Sequence, residues 1–218
     1  MNSSLLQLLV LAAIAVFLIL RLRNVLGTRE GFEKPEVTKP ANERRGPALE
    51  VIEGGPDLDI TDHAEDGSDT AKALADMKRI DNTFHVGEFL GGAKGAYEMI
   101  LMAFEKGDLS EVVPFMSEDV YEAFQSVIDE REKQGLTVEA TFVGLSELKL
   151  MDATLDANSK EAEVTCRFKS ELAYLVRDNG GDIVEGDPNE IKRQKDVWTF
   201  ARMMGTDDPN WRLVATGE

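Results

Sequence analysis

Histidine and cysteine, which often carry catalysis or bind metals, are few in this sequence and widely separated. The two histidines are His63 and His85, and the one cysteine is Cys166. No Cys or His pair has the spacing of a metal site, and no serine lies in the glycine-flanked turn of a hydrolase. Cys166 alternates with polar neighbours and is interpreted as a small buried hydrophobic residue. The sequence therefore predicts no catalytic residues, no metal site and no cofactor.

Two short patterns approach known ligand-binding motifs without completing them. The run from Gly91 to Gly95 contains Lys94, but it lacks the full phosphate-loop pattern and no strand precedes it. The acids between residues 57 and 66 do not have the spacing of a calcium-binding loop, which has a central Gly and ends in a bidentate Glu. Neither pattern supports a nucleotide or calcium site.

Aromatic residues at helical spacing predict an apolar binding surface. The segment from Val86 to Lys106 has apolar residues three and four positions apart and ends before Gly107, which indicates an amphipathic helix. Its aromatic face must cover the apolar face of the strands that follow. We therefore expect an apolar cavity lined by five aromatic residues: Phe89, Tyr97, Phe104, Phe168 and Tyr174. A fully packed core without a cavity is the alternative.

The same helix carries three glycines four residues apart, Gly87, Gly91 and Gly95. Each costs about 1 kcal/mol of helix propensity relative to Ala. We expect the close approach of another backbone to compensate for this cost. That backbone belongs either to the same domain or to a partner helix.

The order of the predicted elements indicates the fold class. Helices are predicted at 71–80, at 86–106 and from Ser117 to Gly135, and Ser117 is a favourable N-cap. Strands follow at 140–155, 162–174, 183–185, 197–203 and 211–216, with a hairpin turn at Asn179-Gly180. Helices followed by antiparallel strands predict an α+β fold, with helices packed on a curved sheet.

The first segment of the chain predicts a transmembrane anchor at residues 1–26. Asn2 to Leu20 carries no charge, and nineteen helical residues span roughly 28 Å, close to the thickness of a bilayer core. The predicted anchor includes Leu5, Phe17 and Leu20 within the span and Arg21 and Arg23 after it. A cleaved signal peptide is the alternative, but its basic residues would precede the apolar run. Because the arginines follow the span, the C-terminal side is expected to be cytoplasmic.

Charge and composition divide the rest of the chain. Residues 27–70 are acidic and rich in Pro and Gly, which is typical of a solvated linker, with an acidic docking segment as the alternative. Residues 71–218 are expected to form the folded domain. The net charge of −17 argues against binding to nucleic acid.

Several strings within the domain resemble one family. They are 89–100 (FLGGAKGAYEMI), 103–104, 107–108, 185–188 (EGDP), 196–200 (DVWTF) and 208–215 (DPNWRLVA). Together they resemble the Tim44-like domain, over about residues 71–218. The layout of anchor, linker and domain is similar to that of the bacterial members of this family.

The resemblance implies a cone-shaped fold related to nuclear transport factor two, a hydrophobic pocket and a role at the membrane surface. It does not carry over chaperone recruitment, because an acidic Pro/Gly segment stands where the mitochondrial adaptor has its recruiting region. The function expected is that of a non-enzymatic adaptor of a bacterial inner membrane. This adaptor is expected to have a single span and a cytoplasmic C-terminal domain. Its expected partners are proteins, with lipid as a further candidate. A small-molecule or lipid-binding protein, or an enzyme of the cone fold with an acid beside a Tyr or His at the base of its pocket, is the alternative.

Overall fold

The computed structural model describes residues 57–217 of the chain. The predicted anchor, with Leu5, Phe17, Leu20, Arg21 and Arg23, and the linker as far as residue 56 lie outside the described residues. Between residues 57 and 217, no helix is both long enough and apolar enough to cross a membrane.

The helices begin and end where local sequence signals place them. They are α1 (Leu58–Thr61), α2 (Asp69–Ile80), α3 (Val86–Lys106), a 3-10 turn (Val113–Phe115) and α4 (Glu118–Lys133). The Ser68 side chain accepts a hydrogen bond from the N–H of Ala71 at the start of α2, and the Ser117 side chain accepts one from Val120 at the start of α4. Helix α3 ends at Gly107 in the left-handed conformation (φ 77°), a region that favours glycine.

The four strands form one antiparallel sheet in the order β1-β2-β3-β4. Their bounds are β1 (Thr137–Leu155), β2 (Glu161–Arg177), β3 (Ile183–Met203) and β4 (Arg212–Gly217). The register of β1 shifts against β2 at three places along its length. Such bulges bend a strand and increase its twist, which gives a curved sheet. Helices on a curved antiparallel sheet confirm the predicted α+β class.

Strand β3 differs from its prediction, because the two short strands expected at 183–185 and 197–203 are one strand of 21 residues. Ala173 of β2 pairs with Ile191, whereas Leu175 pairs with Gly186, so residues 187–190 bulge outward opposite Tyr174. A Cβ at Gly186 would lie 2.2 Å from the Tyr174 carbonyl oxygen, and the φ of Gly186 is 83°. The bulge accommodates Pro188, which has no N–H and could not donate a hydrogen bond within a regular strand ladder.

The core lies between α3 and the inner face of the sheet. The inner side chains of β2 are buried as the alternation predicts, from Ala162 through Cys166 to Leu172, and Ser170 is the one polar member of this row. Helix α3 covers them with the buried face that includes Phe89, Tyr97 and Ile100. The two rows form one continuous hydrophobic cluster.

The end of the predicted linker is folded against the domain. Ile60 in α1 is only 5% exposed and belongs to the hydrophobic core. Asp57 and Asp59 both lie 2.7 Å from the Lys78 amine on α2. Helix α1 is therefore packed onto the domain, whereas the sequence predicts a solvated spacer as far as residue 70.

Candidate functional site

Two of the five predicted site residues meet in the core. The rings of Tyr97 on α3 and Phe168 on β2 stack with centroids 4.3 Å apart and planes 6° apart, and both side chains are fully buried. Trp198 on β3 closes the group, with its ring centroid 4.7 Å from that of Tyr97. Stacked aromatic contacts of this kind stabilise the fold beyond the area they bury.

The other three predicted residues lie in separate environments. Phe89 is packed edge-on against Trp211, with ring centroids 4.7 Å apart. Phe104 is half-buried between Phe124 of α4, at 4.7 Å, and the Arg131 guanidinium, at 4.4 Å from the ring centroid. Tyr174 lies near the far end of β2. Of the five residues, Tyr97 and Phe168 are therefore the two whose rings stack on each other, and neither lines a cavity described below.

The Tyr97 hydroxyl anchors a polar cluster inside the core. It lies 2.8 Å from the Ser170 hydroxyl and donates to the Asp196 carboxylate at 2.5 Å. The Gln194 side-chain amide donates to the Tyr97 hydroxyl at 3.3 Å and to Asp196 at 3.0 Å. Burial and the Asp196 charge raise the pKa of Tyr97, so the phenol stays protonated and acts as a donor.

Sequence reasoning did not find this cluster. The strand from Ala162 to Tyr174 sends Ser170 inward, as its alternation predicts, but the acid comes from β3. The register that sets Asp196 beside Phe168, and Gln194 beside Ser170, depends on pairing over more than 20 residues. No local signal in the sequence marks it. A half-buried Asp beside a Tyr is the kind of pair that the enzyme alternative requires.

A groove of about 380 Å³ lies beside Tyr174. Residues from the end of α3, from β1 and β2, and from the β3 bulge line it: Lys106, Val138, Glu139, Ala140, Thr141, Ala173, Tyr174, Leu175 and Pro188. The Lys192 amine lies 4.1 Å from the centroid of the Tyr174 ring. Burial raises the pKa of Tyr174 to about 12, and the charges of Glu105 and Glu185 add to the effect. Of the five predicted aromatic residues, Tyr174 is the one that lines this groove.

A buried carboxylate lies close to the groove. Glu105, on α3, is 8% exposed, and its Oε2 lies 3.4 Å from Nη1 of Arg131 without a hydrogen-bond partner. Burial raises the pKa of Glu105, and the opposing attraction of Arg131 and Lys192 does not cancel the effect. The groove is therefore lined by an aromatic ring and a lysine, Tyr174 and Lys106, and the buried acid Glu105 precedes Lys106 on α3.

A second cavity, of about 370 Å³, is polar. It lies between the end of α2 and the connection from β3 to β4. Arg202 pairs there with Asp81 at 2.5 Å, and its guanidinium lies 5.2 Å from the centroid of the Trp211 ring. Tyr97, Ser170 and Asp196 line neither this cavity nor the groove.

The predicted helix-packing glycines contact little within the described chain. Gly91 and Gly95 are exposed, and a Cβ built on either would have no atom of the described residues within 4 Å, so the close approach of another backbone stays a prediction. Gly87 has a different role, because its N–H donates to the Asp59 carboxylate at 2.9 Å. Asp59 also accepts from the N–H of Val86 at 2.8 Å, and so caps α3 from outside the helix.

Metal binding has no geometric support in the described part of the chain. No cluster of three or more His, Cys, Asp or Glu side chains between residues 57 and 217 is close enough to hold an ion. Cys166 is fully buried, and burial raises the pKa of its thiol to about 12. It therefore packs as a small apolar side chain.

Comparison with known proteins identifies relatives among subunits of one translocase. The chain is 23% identical over 150 residues to the mitochondrial import inner membrane translocase subunit TIM44 of Homo sapiens, and 22% identical over 152 residues to subunit TIM44-1 of Arabidopsis thaliana. Each match covers 67% of this chain and 33% or 32% of the relative. The match thus spans about a third of the length of these relatives.

Among solved structures, the intermembrane space region of the chloroplast protein ARC6 aligns with a TM-score of 0.38 and 13% identity, over 58% of this chain and 92% of that one. A sequence profile of the Tim44-like domain matches residues 70–218. This match covers most of the chain and nearly all of its described part, and the chain therefore belongs to the Tim44-like domain family.

Proposed function

We propose that this protein is a non-enzymatic adaptor in protein transport or in the organisation of membrane-protein complexes. Its folded domain would hold a partner segment in the groove beside Tyr174. The relatives are named as subunits of an import translocase, which supports a role among protein partners. The groove carries the proposal, because it is a concavity to which apolar side chains of β1, β2 and the β3 bulge contribute.

The shape of the groove suits an apolar side chain carried on a polar backbone. Val138, Ala140, Leu175 and Pro188 supply apolar surface, and its volume lies within the range of roughly 300–1,000 Å³ typical of ligand sites. Lys106 and Glu139 stand at its rim and can hydrogen-bond to a peptide or to a lipid headgroup. A lipid chain is the other occupant that these walls would accept.

The N-terminal segment supplies the proposed attachment. Residues 2–20 carry no charge and are long enough to span a bilayer, and Arg21 and Arg23 follow them. We place the folded domain at the cytoplasmic face of a bacterial inner membrane, joined to a single span. This placement rests on the sequence of the segment and on the positive-inside rule.

Crosslinking in cells tests the proposal. A photoreactive amino acid placed at Ala140, inside the groove of the full-length chain, is expected to capture a defined membrane-associated protein. The matched control is Val143, which is exposed on the same strand but does not line the groove. A second test places the photoreactive amino acid at Val138, which also lines the groove. Its crosslinks should be lost when Ala140→Trp fills the groove. Equal capture from positions 140 and 143 would contradict the proposed site.

An enzyme of the cone fold is the second candidate, and the pair Tyr97 and Asp196 favours it. The two proposals differ in what Tyr97→Phe does. An adaptor keeps its crosslinking pattern, because the phenol hydroxyl lies outside the groove. An enzyme that used the pair would lose its biological activity while the fold and the crosslinks persisted.

A further inference from the structure

The outer edge of β3 lacks a strand partner over part of its length. Strand β4 pairs with β3 only from Val197 to Ala201, and within residues 57–217 no other strand pairs with its outer side. We call the stretch from Ile191 to Lys195 the open edge. In an antiparallel strand, alternate residues direct N–H and C=O groups to each side, so the open edge presents backbone donors and acceptors to solvent.

The side chains of the open edge are mostly cationic. Lys192, Arg193 and Lys195 are three cations within four residues, in a chain with 41 acids and 24 Lys and Arg. Arg193 reaches Glu171 of β2 at 3.0 Å, yet its side chain remains 83% exposed. The Lys192 amine lies over the Tyr174 ring, 4.1 Å from its centroid, and both lysine side chains are exposed. The five residues of the open edge thus carry a charge of +3, opposite in sign to that of the whole chain, and the acids Glu190 and Asp196 flank them.

The neighbouring strand increases this positive charge. Lys195 lies directly opposite Lys169 of β2, and the nearby carboxylate of Glu147 is already shared by Lys169, at 2.9 Å, and Arg167, at 2.8 Å. Like charges directly across a ladder are unfavourable. An additional carboxylate beside Lys195 would relieve the repulsion.

We propose that the open edge is a docking site for an acidic, extended segment of a partner protein, which adds to the sheet as a strand. The backbone of the segment would pair with Ile191 to Lys195. Its carboxylates would lie beside Arg193 and Lys195 on the outer face and beside Lys192 on the inner face. This mode combines main-chain hydrogen bonds for affinity with side-chain charge for specificity.

The positive charge of the open edge favours an acidic partner segment over a second copy of this chain. Lysine at a strand edge normally opposes pairing between identical edges, and two copies paired here would bring three cations against three. The same cations attract an acidic strand. The inference concerns a surface separate from the groove and does not depend on the proposed function.

Two measurements on the full chain in non-ionic detergent test the inference. The probe is an octapeptide of alternating Glu and Val, whose carboxylates share one face of the strand and can meet Arg193 and Lys195. Its controls are the Lys–Val counterpart and a Glu–Val peptide with alternate backbone amides N-methylated. Fluorescence anisotropy should show binding of the Glu peptide at least tenfold tighter than that of either control. Hydrogen exchange of the amides from Ile191 to Lys195 should slow on binding.

A matched pair of variants separates local charge from net charge. The triple change Lys192→Glu, Arg193→Glu and Lys195→Glu should weaken binding of the Glu peptide at least tenfold. The control changes the net charge by the same amount at Lys72, Lys94 and Lys133, which are exposed on helices, and should leave binding within twofold. Equal weakening by both triples, equal binding of the N-methylated peptide, or unchanged exchange at the open edge would overturn the inference.

Discussion

At the level of single residues, burial disfavours the charged form of the Glu105 side chain. Arg131 lies 3.4 Å away and attracts its charge, but the burial raises the pKa of Glu105 above its ordinary value of 4.5. An acid whose pKa is raised on folding stabilises the fold when protonated. This contribution is complete below pH 4.5 and is lost as the pH rises through the folded-state pKa.

We therefore expect Glu105→Gln to flatten the dependence of stability on pH. The free energy of unfolding of the wild type, relative to the variant, should fall as the pH rises above 4.5 and through the raised folded-state pKa of Glu105. Urea denaturation at several pH values measures this difference. Glu98→Gln, at an exposed position of the same helix, is the control and should not change the slope. A difference that is constant with pH would mean that Arg131 fully offsets the burial of Glu105.

The residue scale also shows where sequence reasoning succeeds. Ser117 and Gly107 were predicted as helix boundaries because their signals are local: a side chain that caps the next turn, and a residue that tolerates positive φ. The Asp59 cap of α3 could not be predicted. It joins residues 27 and 28 positions apart, and an acid in a segment rich in Pro and Gly resembles a solvated one.

At the level of helices and strands, the alternation along β2 predicted its buried face, since a strand with one solvent-exposed side has period two.

The position of the pocket was harder to predict. The aromatic face of α3 was predicted, but the helix is 21 residues long, so the rings closest to Phe89, Tyr97 and Phe104 differ. The length of β3 was missed because Pro188 normally ends a strand, and a four-residue bulge accommodates it here.

Helix α3 carries glycines that nothing in the described chain requires. Gly91 and Gly95 have ordinary helical φ values and open space where a Cβ would lie. We expect Gly91→Ala and Gly95→Ala each to raise the free energy of unfolding by about 0.5–1 kcal/mol, because alanine has the higher helix propensity. Thermal and urea denaturation measure the change.

The matched control for these variants is Gly107→Ala at the end of the same helix. Its φ of 77° is strained for alanine, so this variant should be less stable than the wild type. Loss of stability in Gly91→Ala or Gly95→Ala would show instead that another part of the chain packs closely against this face.

At the scale of the whole molecule, the folded unit begins before the domain predicted from the sequence. Helix α1 buries Ile60, and Asp59 caps α3 while it pairs with Lys78. Partial burial opposes ionisation of Asp59, but the hydrogen bonds from Lys78, Gly87 and Val86 outweigh it and lower the pKa to about 2. The segment that looks like the end of a linker is thus a stabilising part of the domain.

This arrangement predicts that a fragment of residues 57–218 is more stable than one of residues 71–218. Removal of α1 loses the burial of Ile60, about 1.5–3 kcal/mol, and the cap of α3, about 1 kcal/mol. The shorter fragment should therefore unfold at a lower temperature and a lower urea concentration. Within the longer fragment, Ile60→Ser should reproduce part of the loss, whereas Leu58→Ser, at a side chain that is 67% exposed, should not. Equal stability of the two fragments would contradict this prediction. It would show that residues 57–70 behave as a linker and that the Asp59 cap does not stabilise α3.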